Sequence, residues 1–185
     1  MNMISFKKLY NTDFFISEPM AKAQYWAQRG NVYNALGRPK ISHTLLWFKN
    51  CCATITNSFG NIVEAKENQL AYMAKGIEYV VNFNNTNNDK EDTIVIHFQM
   101  TDNNGNDIIP VSVPIICIND VQPSFAMAIN TLADEFKKNI VCIPYVKAEI
   151  FKIISAICQK QKNRQQKTDM PVYELVLNFW KRTAI

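Results

Sequence analysis

Histidine is scarce in this chain: His43 and His97 are the only two in 185 residues. A transition-metal centre built mainly on imidazole needs more ligands than that, unless thiolates or carboxylates complete the set. The five cysteines, Cys51, Cys52, Cys117, Cys142 and Cys158, include no Cys-x-x-Cys pair, so a zinc ribbon or thioredoxin-like motif is absent. Adjacent Cys51 and Cys52 on a strand would point to opposite faces, which argues against a shared ion. Scattered thiols suit a reducing cytosol. No apolar run approaches the roughly 18 residues that a membrane helix requires. The opening MNMISFKKLYNTDFF has no apolar signal-peptide core, so a cytoplasmic location is expected.

What is present suits one domain, or one domain and a fragment of another. Hydrophobic residues make up 48%, enough for a packed core. The formal net charge is +4. Residues 159–185 hold Lys160, Lys162, Arg164, Lys167, Lys181 and Arg182 against Asp169 and Glu174, which accounts for the whole excess. A neutral body with a basic tail does not fit a nucleic-acid-binding barrel. A solvated helical tail explains the basic end as well as phosphate contact does.

The first 120 or so residues read as short strands between turns. Residues 41–48 (ISHTLLWF) and 51–57 (CCATITN) are rich in β-branched and aromatic side chains. SFGN at 58–61 supplies a turn in which Gly60 takes a positive φ. Strands are expected at 61–65, 70–74 and 77–83, then a mobile polar loop, NNTNNDKED, at 84–92. TIVIHFQM at 93–100 reads as a central strand buried on both faces. Pro110 and Pro114 reduce 108–118 to an edge strand or irregular segment.

From Ser124, placed to cap a helix, the apolar period lengthens: Phe125, Ile129, Leu132 and Phe136 share one helical face. A second helix is expected over about 145–161. It carries one stripe of Val146, Ile150, Ile153 and Ile157 and an adjacent one of Phe151, Ile154 and Cys158. So wide an apolar arc needs cover on two sides, by the barrel and by the same helix of a second subunit, unless both stripes pack within one chain. KQKNRQQKTD at 160–169 reads as a linker, and MPVYELVLNFWKRTAI as a short terminal helix.

Many short strands followed by helices point to a jelly-roll barrel with helical appendages. Gly37-Arg38-Pro39, the strand-turn-strand of 43–56, LAYMAKGIEY at 70–79, TIVIHF at 93–98, DFFISEP at 13–19 and the closing MPVYELVLNFWKRT give more detail. In that order and spacing, over residues 13–182, they resemble the cupin sensor domain of AraC-family transcription regulators. The resemblance implies a double-stranded β-helix that binds a small molecule, often a sugar. It also implies dimerisation through the helices after the barrel and a C-terminal pair of helix-turn-helix units on DNA. The domains are then a sensor barrel with an N-terminal arm (1–122), dimerisation helices (123–162), and a linker with the start of a DNA-binding region (163–185). Sixteen residues after the linker are too few for that region, so a truncated chain without operator binding is expected.

Metal-dependent cupins place histidines and a carboxylate at fixed spacings. Here Gly37 and His43 fit, but Leu45 stands at the second histidine and Lys49 or Asn50 at the carboxylate. In the second motif Asn68 and Ala74 replace Gly and Pro, Gly76 is kept, Tyr79 replaces His and Phe83 replaces Asn. No metal, no cofactor and no catalysis are therefore expected. The alignment instead turns His43, Leu45, Trp47 and Lys49 inward, with Ile77, Tyr79, Val81 and Phe83, while Glu78 and Asn82 face out. The expected ligand-binding set is His43, Trp47, Lys49, Tyr72, Tyr79, Phe83 and His97, aromatic faces with a few polar handles that suit a carbohydrate-like metabolite. The expected dimer interface is Val146, Ile150, Ile153 and Ile157. A barrel filled by these same aromatics, serving oligomerisation or protein docking without a ligand, is the alternative.

Overall fold

A computed structural model describes residues 9, 12–109, 116–118 and 121–168, with side chains given as far as 159 but not for 116–118. In chain order the strands are β1 (Phe15–Gln24), β2 (Val32–Asn34), β3 (His43–Phe48), β4 (Cys52–Asn57), β5 (Ile62–Ala65), β6 (Gln69–Met73), β7 (Tyr79–Asn84), β8 (Thr93–Thr101) and β9 (Ile116–Ile118). Two helices follow, α1 (Pro123–Glu135) and α2 (Ile143–Thr168). The chain is mainly β with C-terminal helices.

The pairing is that of one long hairpin rolled on itself: β1 with β8, β2 with β7, β3 with β6 and β4 with β5, all antiparallel. Rolling splits the strands into a five-stranded sheet, β1-β8-β3-β6-β9, and a four-stranded sheet, β2-β7-β4-β5. This is the jelly-roll arrangement. Gly60 turns β4 into β5 with φ +77, as its sequence context demands. β8 lies between β1 and β3, as expected of a central strand, and β9 is an edge.

The five-stranded sheet has two buried faces. Leu46, Phe48, Ala71, Met73 and Val95 meet Ala53, Ile55, Tyr79, Val81 and Phe83 of the other sheet inside the roll. Leu45, Trp47, Leu70, Tyr72, Ile94, Ile96 and Phe98 face the helices. This second core carries α1 through Ile129 and Leu132, and α2 through Val146, Ile150, Ile153, Ile154 and Ile157.

Several elements differ from the sequence expectation. β1 was not expected as a strand. Pro19 would break a central ladder, but β1 is an edge strand and Pro19 falls in an irregularity between Ser17 and Met20, where Glu18 has φ 49. Gln122 rather than Ser124 precedes α1, and Pro123 occupies its first turn, where a missing N–H costs nothing. α2 continues through Thr168, into the stretch read as a linker, because Lys, Gln and Arg are good helix formers and no Gly or Pro intervenes. The 84–92 segment is tied down at its end: Asp92 is fully buried and its carboxylate accepts from the N–H groups of Trp26 at 2.6 Å and Asn87 at 3.0 Å.

The expected dimer interface is also corrected. Val146, Ile150, Ile153 and Ile157 are at most 3% exposed within a single chain. Ile154 and Cys158 of the second stripe are buried too, while Phe151 stays 45% exposed and stacks on Phe14 of the N-terminal segment at 4.9 Å. The expected terminal helix and most of the N-terminal arm lie outside the described residues.

Candidate functional site

The interior of the roll narrows to a cavity of about 30 Å³ at one end. Its wall is built from β1 (Gln24), the turn after it (Trp26), β2 (Tyr33), the approach to β3 (Lys40), β3 (Thr44, Leu46), β7 (Tyr79, Val81, Phe83) and β8 (Val95, His97). Register explains the convergence. Thr44 is directly opposite His97, and Leu46 opposite Val95, so these four share the inner face. Trp26 closes the floor: its indole stacks on Phe83 at 4.2 Å and donates to the Thr93 hydroxyl at 2.8 Å.

The polar groups of this wall are unevenly satisfied. The Thr44 hydroxyl lies 3.0 Å from His97 Nδ1, with the Ser42 hydroxyl at 3.4 Å. Burial, then Lys40 and Lys22, pushes the His97 imidazole down to about 4, so it is neutral at neutral pH. The Lys40 ammonium donates to the Tyr33 hydroxyl and lies 4.5 Å from the Tyr33 ring centre and 5.5 Å from that of Tyr79. Tyr79 is 3% exposed and burial raises its phenol above the ordinary range. Neither its hydroxyl nor the Gln24 amide, in a residue 8% exposed, makes a side-chain hydrogen bond to another described residue. Among the described residues the fully enclosed polar atoms without a partner are His43 Nε2, Asn57 Nδ2 and Gln99 Oε1, so the Tyr79 hydroxyl and the Gln24 amide reach accessible space, where water or a ligand can meet them. The cavity has room for two or three waters by the usual measure of ~10–15 Å³ each.

Of the residues expected to bind ligand, Tyr79, Phe83 and His97 line this interior. His43, Trp47, Lys49 and Tyr72 do not. They lie on the opposite, helix-facing side of the same sheet, with Leu45. The reason is that all six residues of β3 are buried. A strand apolar on both faces gives no polarity signal to fix its phase, and a shift of one residue reverses every side chain. β7 alternates buried and more exposed positions, and there Tyr79, Val81 and Phe83 point in while Asn82 points out, as expected.

The misplaced residues have structural work. Lys49 Nζ reaches Glu91 at 2.8 Å and Asn130 of α1 at 2.9 Å, joining the sheet to the helix. That hydrogen bond is the largest cause holding the Glu91 carboxyl below its usual range. Trp47 donates to Asn68 at 3.3 Å, and Asn68 to the Val121 carbonyl at 3.3 Å, which fixes the entry to α1. His43 is fully buried. The Lys75 backbone N–H (3.2 Å) and Tyr72 hydroxyl (2.7 Å) donate to its Nδ1, so the proton sits on Nε2, 3.8 Å from Asp107. Burial pushes His43 down to about 4 against the opposing pull of Asp107. The two histidines face opposite sides of the sheet and cannot share one ion.

Sequence reasoning missed Gln24, Trp26, Tyr33, Lys40 and Thr44. Gln24 and Tyr33 belong to strands with no clear alternation, and Lys40 stands one residue after the Gly37-Arg38-Pro39 signal. Pairing with His97, once the β3–β8 register is known, is the signal that finds Thr44.

No family model and no curated protein matches this chain. Among solved structures, apo ToxT K231A from Vibrio cholerae strain SCE256 is similar at 11% identity with a TM-score of 0.44, covering 81% of this chain and 57% of that one. The chain thus spans less than two thirds of that protein's length, and a likeness at this TM-score carries no argument. The fold stands on the strand pairing described above. No helix among the described residues is long and apolar enough to cross a membrane.

Proposed function

We propose that this chain is the effector-sensing domain of a transcription regulator of the AraC type. It binds a small polar metabolite at the narrow end of the roll without catalysis or a metal. The observation that carries this reading is the gathering of polar side chains, Gln24, Tyr79, Lys40 and His97, around one small cavity inside an otherwise apolar roll. A roll serving only as scaffold gains nothing from them. The cavity admits one end of a ligand. The rest would lie across the mouth near exposed Met20, which pairs with His97 across the ladder, and exposed Ile41 beside Lys40. A sugar derivative with one planar polar end suits this shape better than a free hexose enclosed whole.

A homodimer remains part of the proposal, through the groove between α1 and α2, which keeps Ile153 alone of the four residues first expected at the interface. α1 and α2 leave a groove of about 230 Å³ lined by Phe125, Ala128, Ile153 and Ala156 and edged by Glu149 and Lys152. Glu149 and Lys152 pair with each other at 2.6 Å, which leaves this edge neutral toward a second copy. DNA contact would pass through a domain outside this chain.

The second reading, a ligand-free docking or oligomerisation roll, is favoured by the smallness of the cavity, since most of the interior is filled by side chains. Thermal shift with a panel of neutral sugars, sugar alcohols, sugar acids and hydroxy acids separates the two. A ligand at 100 times its Kd stabilises by about 2.7 kcal/mol. For a chain of this size that is a rise of roughly 5–10 °C. The sensing reading expects at least one such rise in the wild type, lost on Tyr79→Phe. No shift from any member of the panel would leave the docking reading standing.

A further inference from the structure

The mouth of the roll carries lysines that no carboxylate answers. Lys40 is partly buried there, and its ammonium is hydrogen-bonded to the Tyr33 hydroxyl alone. Lys22 faces Val95 across the β1–β8 ladder, which sets it on the same inner side as His97, and its charge is felt at that imidazole. Among the described residues no Asp or Glu oxygen comes within 4.0 Å of either ammonium, whereas Lys49, Lys75, Lys137, Lys138 and Lys152 each have such a partner. Two acids of the neighbouring elements are engaged elsewhere. Glu78 accepts from the Gly37 N–H at 2.7 Å, and Asp92 from the N–H groups of Trp26 and Asn87.

A half-buried cation held against two aromatic rings loses water without gaining a counter-charge. Beside it stand the Gln24 amide and the Tyr79 hydroxyl, both able to donate, and the imidazole of His97. The Nδ1 of His97 is engaged by the Thr44 hydroxyl at 3.0 Å. The wall therefore offers several donors and a positive charge around a space of about 30 Å³. That space suits a flat head with two oxygens. A tetrahedral phosphate is bulkier and is usually held by an arginine fork or a helix N-terminus, and the wall has neither.

We infer that the effector is a carboxylate, and that its carboxylate enters the mouth of the roll with Lys40 as principal partner and Lys22 as a longer-range attraction. This rests on the sensing reading above and narrows its ligand class.

The test pairs each acid with a neutral relative of nearly the same shape. Lactate and gluconate are titrated into the full chain against lactamide and sorbitol, by calorimetry and thermal shift. The acids are expected to bind and raise the melting temperature, and the neutral relatives to bind at least tenfold more weakly. Lys40→Met should weaken acid binding roughly 10- to 100-fold, as expected for loss of a charge-assisted hydrogen bond. Lys40→Arg should retain most of it. Lys22→Met should cost less, and raising the salt concentration should lower affinity in the wild type. If Lys40→Met does not fold, Lys22→Met and the salt series decide the same question. Neutral members binding as tightly as the acids would leave the sensing reading standing and overturn the carboxylate. Failure of every member to bind the wild type would overturn both.

Discussion

Ile150 of α2 is the position where two accounts of the helix part most clearly. It is fully buried in the core between the helices and the five-stranded sheet. Ile150→Ala deletes three carbons, worth about 0.8 kcal/mol each in transfer from water, or ~2.4 kcal/mol. The space they leave adds to that, because neighbours held by the sheet relax only in part, so the expected loss is roughly 2–5 kcal/mol. At this chain length each kcal/mol moves the melting temperature by about 2–4 °C. A fall of at least ~4 °C is therefore expected. Phe151→Ala provides the contrast. Phe151 is 45% exposed and keeps its stacking on Phe14, so its loss should be clearly smaller. The assay is urea unfolding of both variants over a tenfold range of protein concentration, beside a sizing column. A residue of the monomer core shifts the midpoint by the same amount at every concentration. An interface residue shifts it more at low concentration and alters elution. Ile150→Ala with a wild-type midpoint and a later elution volume would refute the assignment of Val146, Ile150, Ile153 and Ile157 to the interior of one chain.

Acid should destabilise this protein partly through its histidines. His43 and His97 titrate near 6.5 when unfolded and near 4 when folded, so between those values the unfolded chain binds more protons and stability falls as pH falls. Urea midpoints should drop between neutral pH and about 4.5, with a shallower drop in His43→Gln; an identical slope in that variant would show that His43 does not contribute. Lys49→Met keeps the apolar stem but removes the ammonium between Glu91 and Asn130, and should cost ~1 kcal/mol in urea unfolding, as for a half-buried charged hydrogen bond. An unchanged midpoint would mean that this link between sheet and α1 adds nothing to stability.

The sequence revealed strands where one face is polar and hid them where neither is. β4 reads plainly because Ala53 and Ile55 alternate with Thr54 and Thr56, and β7 because Val81 and Phe83 alternate with Asn82 and Asn84. β3 is as clearly a strand, yet its two faces are equally apolar, one serving the roll and the other the helices. Motif alignment had to choose a phase and chose the wrong one, which moved His43, Trp47, Lys49 and Tyr72 out of the interior together. β1 was hidden for a different reason. As an edge strand it tolerates Pro19 and Glu18, residues that argue against a strand everywhere except at an edge irregularity. α2 announced itself by its wide apolar arc, but width alone states how much cover a helix needs and not who provides it. The sheet, α1 and the N-terminal segment together supply most of it, with Phe151 left 45% exposed.

The same two-faced sheet bears on how a sensing domain of this build would work. On β3 and β8 the residues facing the roll, Thr44, Leu46, Val95 and His97, alternate with those facing the helices, Leu45, Trp47, Ile94 and Ile96. A ligand at the narrow end and the helices on the far side thus act on neighbouring residues of the same strands. Such proximity does not by itself make a switch: the ligand must favour one arrangement of strands and helices over another. The element that a shift of β3 would reach is α1. It meets the sheet through Ile129 and Leu132 and through the Lys49 link to Asn130, and Asn68 ties its entry to Trp47. Trp47 and Lys49 therefore belong to the sensing proposal after all, as the residues that would carry a shift of β3 into the helix. The polar links at both ends of that contact give it defined geometry, which a purely apolar seam would allow to slide.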